Sequence, residues 1–328
     1  MSIRTTVIGS FPKVIESGAD NLPGTIDKWQ KQQLTDAQLQ QELEKVTRRV
    51  ISEQEQAGID VITDGQIRWE DLNQAVVRGS EGLERGTLRR FHDNNTYYRR
   101  PEWKGDVSWK KSAAAEEFKF ASGAAKKPVK VALPGPLTLV VSTEPKAGQT
   151  RDQLFSAYEG ILRKEVEALA KAGVKEIQID EPSLAPGEPM LEKTVEGINR
   201  IFDGIQARRW VAVYFQDVSK ILPALAKLKA DVLALDLVSA REKNAQLLDK
   251  VAEWLKGGAW KGEVALGLVD ARNTKLENAA DLKKRIAPFA QAVPAERLWV
   301  SPNCGLEFLP HEAAVKKLKV LREAAQAV

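Results

Sequence analysis

With 328 residues, 43% of them hydrophobic and 29% charged, the chain has the composition of a globular protein that fills one large α/β barrel or two smaller domains. Its net charge of +4 comes from well-mixed Lys/Arg and Asp/Glu with no single-sign block, which argues against a nucleic-acid partner, and a lone cysteine, Cys304, excludes an internal disulfide and suits a reducing compartment. The opening MSIRTTVIGSFPK lacks the apolar stretch of a signal peptide and no run of roughly 18 apolar residues occurs, so the expectation is a cytoplasmic protein with no membrane partner.

Eight short β-branched runs, each ending in polar or glycine-rich residues, mark the chain in order: 5–11, 60–66, 129–136, 176–182, 210–217, 231–238, 263–273 and 298–305. Between most of them lie helix-period segments, such as RDQLFSAYEGILRKEVEALAKAG with Gly173 as its stop signal. Apolar strands alternating with helices predict a parallel sheet covered on both faces. Eight such units over this length predict a (β/α)8 TIM barrel, with residues 1–328 as a single catalytic domain. No Gly-x-Gly-x-x-Gly follows the first run, which weakens a dinucleotide-binding reading.

Residues 67–128 interrupt the alternation between the second and third strands. Their RRFHDNNTYYRRPEWKGDVSWKK is rich in aromatics and cations and predicts an antiparallel hairpin or lid, and SAAAEEFKFASGAAKK then reads as a helix. In a barrel the chemistry gathers at the C-terminal strand ends. Those ends carry Gly9 and Ser10, Asp64 to Gln66, Pro134 to Pro136, Asp180 and Glu181, Phe215 to Asp217, Asp236, Asp270 to Asn273, and Asn303 to Gly305. So many polar ends point to one shared mouth.

The stretches IGSFP, IDVITDGQ, IQIDEPSL and PNCGLE stand at four of these ends. In order and spacing, over essentially the whole chain, they resemble the catalytic barrel of cobalamin-independent methionine synthases. The resemblance implies a short core form that lacks a second, N-terminal barrel. That form is associated with a corrinoid donor, so the expected reaction carries a methyl group from methylcobalamin, or from a corrinoid protein docking from outside, to homocysteine. It assigns Ile8, Gly9 and Ser10 to the amino-acid part of homocysteine and Asp180 to its ammonium, with Glu181 beside it. Gln66 stands where the family usually has Glu, so the Coulomb attraction expected there is lost.

The resemblance also implies zinc, held by a His-x-Cys at the fifth strand, a Glu at the sixth and a Cys at the eighth. Zinc would deprotonate the substrate thiol while leaving it nucleophilic. Cys304 matches and Asp236 replaces the Glu, which makes these two the expected metal ligands and catalytic residues. The positions of the His and Cys fall on Val213 and Phe215, which bind no metal. His92 completes such a site only if the inserted segment folds inward, whereas His311 points away; shifting the fifth strand by one residue brings Tyr214 and Gln216 to the mouth instead. Two alternatives stand beside homocysteine methylation: a methyltransferase or carbon–sulfur lyase acting on another thiol, and a non-catalytic amino-acid-binding relative.

Overall fold

Seven of the eight predicted runs form parallel strands, separated by helices. The computed structural model describes residues 3–13, 22–92, 97–240 and 246–327. It runs β1 (Arg4–Thr5), α1 (Leu22–Gln30), α2 (Asp36–Gln56), α3 (Gln74–Gly79), β2 (Ser80–Arg90), β3 (Tyr97–Trp109), α4 (Ala113–Ala124), β4 (Lys130–Pro134), α5 (Pro136–Ser142) and α6 (Arg151–Lys171). There follow β5 (Glu176–Asp180), α7 (Leu191–Ile201), β6 (Arg208–Val213), α8 (Leu222–Leu225), β7 (Val232–Asp236), α9 (Leu247–Lys256), β8 (Glu263–Val269), α10 (Ala279–Ala292), β9 (Leu298–Pro302) and α11 (His311–Gln326). No described helix is long and apolar enough to cross a membrane.

The strands make one curled parallel sheet in the order β1-β9-β8-β7-β6-β5-β4. The run at 60–66 is shorter than its sequence predicts. It contributes single parallel bridges, Thr6 with Val61 and Ile62 with Val129, and so touches both edges of the sheet. Two local features cut it short. The Gln54 side chain of α2 bonds both the N–H and the C=O of Thr63, at 3.1 and 2.9 Å, in place of a neighbouring strand. The chain then turns through Gly65 (φ 70°) and Gln66 (φ 52°). A Cβ on Gly65 would sit 2.8 Å from both Phe11 and Val50, so this turn demands glycine.

The two longest helices, α2 and α6, start at local caps. Thr35 and Thr150 each open a helix with a capping box, their hydroxyls accepting from Gln38 and Gln153 and those side chains returning the bond. The insert folds as the antiparallel pair β2–β3 followed by α4, with the short α3 before it. Residues 93–96 of the insert lie outside the described residues. Glu165 of α6 anchors its far end, accepting from Trp109 Nε1 at 2.8 Å and from the Ser112 hydroxyl at 2.7 Å.

The concave side of the curled sheet is packed, and part of it is polar. Trp210 and Trp299 meet there, ring centroids 5.0 Å apart. Each indole N–H finds a carboxylate, Glu176 and Glu263 respectively, and Glu263 also takes Arg4 and Arg208. Higher up, Gln178 Nε2 donates to the Ile8 carbonyl at 2.8 Å, a bond that joins β5 to the chain leaving β1.

Candidate functional site

At the C-terminal ends of the strands a small cavity opens between the first, fifth, sixth and last strand ends. Ser10, Gln66, Asp180, Tyr214 and Glu307 supply its polar lining, with Leu72, Phe91, Gly305 and Phe308 as its apolar part. Phe91 comes from the end of the β2–β3 pair and packs on Phe215 at 6.3 Å, and His92 on the same ring at 5.6 Å. The insert therefore does fold inward.

Asp180 is almost fully buried, yet only two side chains bond its carboxylate among the described residues. Gln178 Nε2 donates to Oδ1 at 2.5 Å and the Tyr214 hydroxyl to Oδ2 at 3.2 Å. Burial pushes its pKa up to about 7, against the pull of Gln178, Lys130 and Tyr214. Glu307 lines the same cavity, and burial raises its pKa too, although the Lys13 charge and a hydrogen bond from Ser10 lower it. Two acids that face one cavity repel each other, and both gain from an incoming cation. An ammonium is the simplest group that meets this demand.

The other expected residues fall into different roles. The Ile8 carbonyl is taken by Gln178, and the Gly9 carbonyl accepts from Thr63 Oγ1 at 2.6 Å. Ser10 keeps its hydroxyl at the cavity, close against Gly305. Gln66 lies with its amide 3.4 Å from the Ala132 carbonyl, in a left-handed conformation that a side chain adopts at some cost. Glu181, expected beside the substrate, turns away. Both its oxygens accept from the first turn of α5, from Leu137 N at 3.0 Å, Thr138 N at 2.8 Å and the Thr138 hydroxyl. Burial still pushes its pKa up to about 8.

Asp236 and Cys304 do not form the expected metal site. Asp236 is fully buried and its carboxylate takes five donors: the N–H groups of Phe215, Val238 and Ser239, the Ser239 hydroxyl and Asn303 Nδ2. Its lone pairs are spent on holding loops. Cys304 is equally buried, its thiol making only weak contacts to Asn303 Oδ1 and the Gly305 carbonyl at 3.7 and 3.5 Å. Burial first, then the charge of Asp236, drives its pKa well up, so the thiol keeps its proton. Val213 is a core residue of β6, and Phe215 carries four aromatic neighbours and a φ of 71°, its N–H held by Asp236. Among the described residues no group of three His, Cys, Asp or Glu is placed to hold a metal. The donor set does not fit zinc.

The remaining histidine, His311, pairs with Glu53, Nε2 to Oε2 2.7 Å, and lies edge-on to Phe11, away from the cavity. Sequence reasoning missed Leu72, Phe91, Glu307 and Phe308 of the cavity lining, and reached Tyr214 only as an alternative register. Glu307 ends the PNCGLE stretch itself, Tyr214 stands between the two apolar replacements, and Phe91 begins the FHDNN of the insert. The signal for Tyr214 was present, since a one-residue shift of the fifth strand brings it to the mouth.

Comparison with known proteins places the chain. Residues 3–327 match the family described as cobalamin-independent synthase, catalytic domain. A methionine synthase of Sulfolobus acidocaldarius is 26% identical over 318 residues, covering 96% of this chain and 89% of that protein. The 5-methyltetrahydropteroyltriglutamate–homocysteine methyltransferase of Bacillus licheniformis is 27% identical over 340 residues, 99% of this chain but 42% of its own length. In fold, the chain is similar to a B12-independent methionine synthase from a Shewanella species solved with selenomethionine: TM-score 0.81, 21% identity, 100% of this chain and 98% of that one. The expected methylcobalamin donor is thereby corrected, because the matched family is cobalamin-independent, and a corrinoid protein partner loses its support with it. By the match over nearly its whole length, the chain belongs to the cobalamin-independent synthase family, as its catalytic domain, and is an enzyme of the methionine synthase type.

Proposed function

We propose that the protein methylates the sulfur of homocysteine, and that the cavity at the strand ends holds the amino-acid part of that substrate. The observation that carries this reading is the pairing of Asp180 and Glu307 around one small cavity, with the Ser10 and Tyr214 hydroxyls beside them. The substrate ammonium settles between the carboxylates and brings both to the charged state, and any proton held there leaves to water. Tyr214 and Gln178 keep Asp180 from turning. The donor named for the Bacillus licheniformis relative, 5-methyltetrahydropteroyltriglutamate, is the donor assigned here. In the transfer the homocysteine S–H gives up its proton, an S–CH3 bond forms, the N–CH3 bond of the donor breaks, and the donor nitrogen takes a proton.

The sheet together with segment 61–62 is read as a closed (β/α)8 barrel working as one catalytic domain, with the β2–β3 pair as its cover. The bridges on both sides of that segment and the place of Phe91 in the cavity wall support this. No step is assigned to zinc, since the residues present do not fit it.

Calorimetry with homocysteine and methionine, on wild type and Asp180→Asn, tests the site. Saturable binding that is lost in the variant is expected; equal binding by both, or none by wild type, overturns it. An assay with 5-methyltetrahydrofolate and its polyglutamates tests the reaction. Methionine formation is expected. Binding without turnover assigns the chain to amino-acid binding alone, and turnover of other thiols only assigns it a different acceptor, a reading that the apolar Val213 and Phe215 favour.

A further inference from the structure

Beneath the cavity the lumen holds polar groups to which the proposed reaction gives no role. The β4–β5 register sets Lys130 opposite Glu176, Ala132 opposite Gln178, and Pro134 opposite Asp180. Side chains alternate along a strand, so Glu176, Gln178 and Asp180 share one face, and contacts show that this face is the lumen. Gln178 reaches the Ile8 carbonyl, and Lys130 Nζ lies 4.3 Å from the centre of the Trp210 ring of β6.

Lys130 is 1% exposed, and among the described residues its ammonium has no hydrogen-bond partner. The same is true of Gln178 Oε1, one rung above, and of Ser301 Oγ, on the lumen face two residues beyond Trp299. A buried ammonium that meets only an aromatic face is costly, even with the attraction of the ring. Ala132, Ala212, Ala234 and Ala265 carry the small side chains of the adjacent rungs. A buried donor and buried acceptors left unpaired among small side chains are the groups an internal water joins.

We propose that Lys130 is a positioning residue for the cavity: through water shared with Gln178 Oε1 it fixes the Gln178 amide, whose Nε2 holds Asp180 Oδ1, and its charge stands beneath Asp180 as the counter-ion. Among the described residues, the titratable groups acting on Asp180 are Tyr214 from the end of β6, Glu307 from the turn after β9 and Lys130 from β4, with Glu181 adjoining but turned to α5; those acting on Lys130 are Asp180 and Glu176. Lys130 is the one cation in that set. Burial brings the pKa of Lys130 down to about 7, while the charges of Asp180 and Glu176 hold it up. The pair therefore shares its charge within the lumen. The consequence for the site rests on the amino-acid reading above; the link between Lys130 and Asp180 does not.

The test needs no ligand, so it stands even if homocysteine fails to bind. The full chain is labelled with [ε-13C]lysine and the Lys130 resonance is followed from pH 5 to 10, in wild type, Asp180→Asn and Gln178→Leu. Its disappearance in Lys130→Met assigns the signal; should that variant not fold, Lys130→Arg serves. The expected midpoint lies about two pH units or more below that of an ordinary lysine, and falls by about one further unit in Asp180→Asn, where the counter-charge is gone. A midpoint in the ordinary lysine range, or one that Asp180→Asn leaves in place, overturns the proposal. Gln178→Leu separates the bridge from bare Coulomb attraction: a midpoint unchanged there removes Gln178 and the shared water. Where ligand binding is present, Lys130→Met moves the acid limb of homocysteine affinity to higher pH, a shift that a merely structural lysine does not cause.

Discussion

Asp180 and Asp236 are the same residue type, at the ends of β5 and β7, and both are buried. They differ in what surrounds their oxygens. Asp236 gathers five donors from three loops, whereas Asp180 has two and faces a cavity that it shares with a second acid. A carboxylate whose lone pairs are filled by backbone N–H groups is a strut. One left under-coordinated beside an opening is poised for a ligand. Burial alone does not tell the two apart, and neither does position at a strand end.

The comparison predicts a double dissociation. Asp236→Ala strands five donors, most of them half-buried, so unfolding free energy in urea falls by about 4 kcal/mol, the largest effect expected in the molecule. Homocysteine affinity of the folded fraction changes little. Asp180→Asn does the reverse. Its affinity for homocysteine drops about 100-fold, roughly 3 kcal/mol, while stability changes little, the relief of one buried carboxylate offsetting the loss of the Lys130 counter-charge. If Asp180→Asn unfolds the protein, or Asp236→Ala abolishes binding without loss of stability, the division between strut and ligand group is wrong.

The fold was legible because its signals are local. Apolar runs at regular spacing and Gly173 after α6 each specify one element without reference to the rest. Strand ends were read two to four residues too long in most cases, since the polar residues that follow a strand at the mouth continue its pattern. The site was legible only as a set of positions. That Asp236 and Glu181 hold loops, and that Glu307 and Tyr214 face the cavity, depends on which N–H groups come near each oxygen. Those partners are 34 residues away for Tyr214 and Asp180, and 67 for Asn303 and Asp236. No short window contains these, although three of the five donors to Asp236 lie within three residues of it. The absence of the zinc pair was visible, at Val213 and Phe215. What replaced it was not: an aromatic cluster around a strained Phe215, completed by the insert.

The pH dependence sharpens the same contrast with a smaller effect. Asp180 has its pKa raised from 3.8 to about 7, so the empty folded state binds a proton that the unfolded chain has released in that window. Stability from this group is thus full below pH 3.8 and is lost as pH rises through 7. Lys130 runs the other way, its pKa lowered from 10.5 to about 7, and its contribution recovers as pH climbs from 7 to 10.5. The pair together gives the unliganded protein a stability minimum near pH 7, which Asp180→Asn removes on the acid side. A ligand ammonium needs the ionised Asp180, so homocysteine affinity falls about tenfold per pH unit below 7. Titration calorimetry between pH 5.5 and 8 reads this directly, and a flat profile would separate the ligand from Asp180.

Cys304 belongs with Asp236 on the side of the struts, and its replacement is expected to do least. The thiol is buried, protonated and tied only by weak contacts, so Cys304→Ala removes one sulfur atom from a packed site. A loss of that size costs about 1 kcal/mol, comparable to shortening an isoleucine to valine. Homocysteine affinity should stay within about twofold of wild type, and the zinc content of the purified protein, read by elemental analysis, should be the same in both. A variant that loses bound zinc, or that binds homocysteine tenfold more weakly, would move Cys304 across the divide. The thiol would then touch metal or substrate, and the region around Asp236 would be part of the chemistry after all.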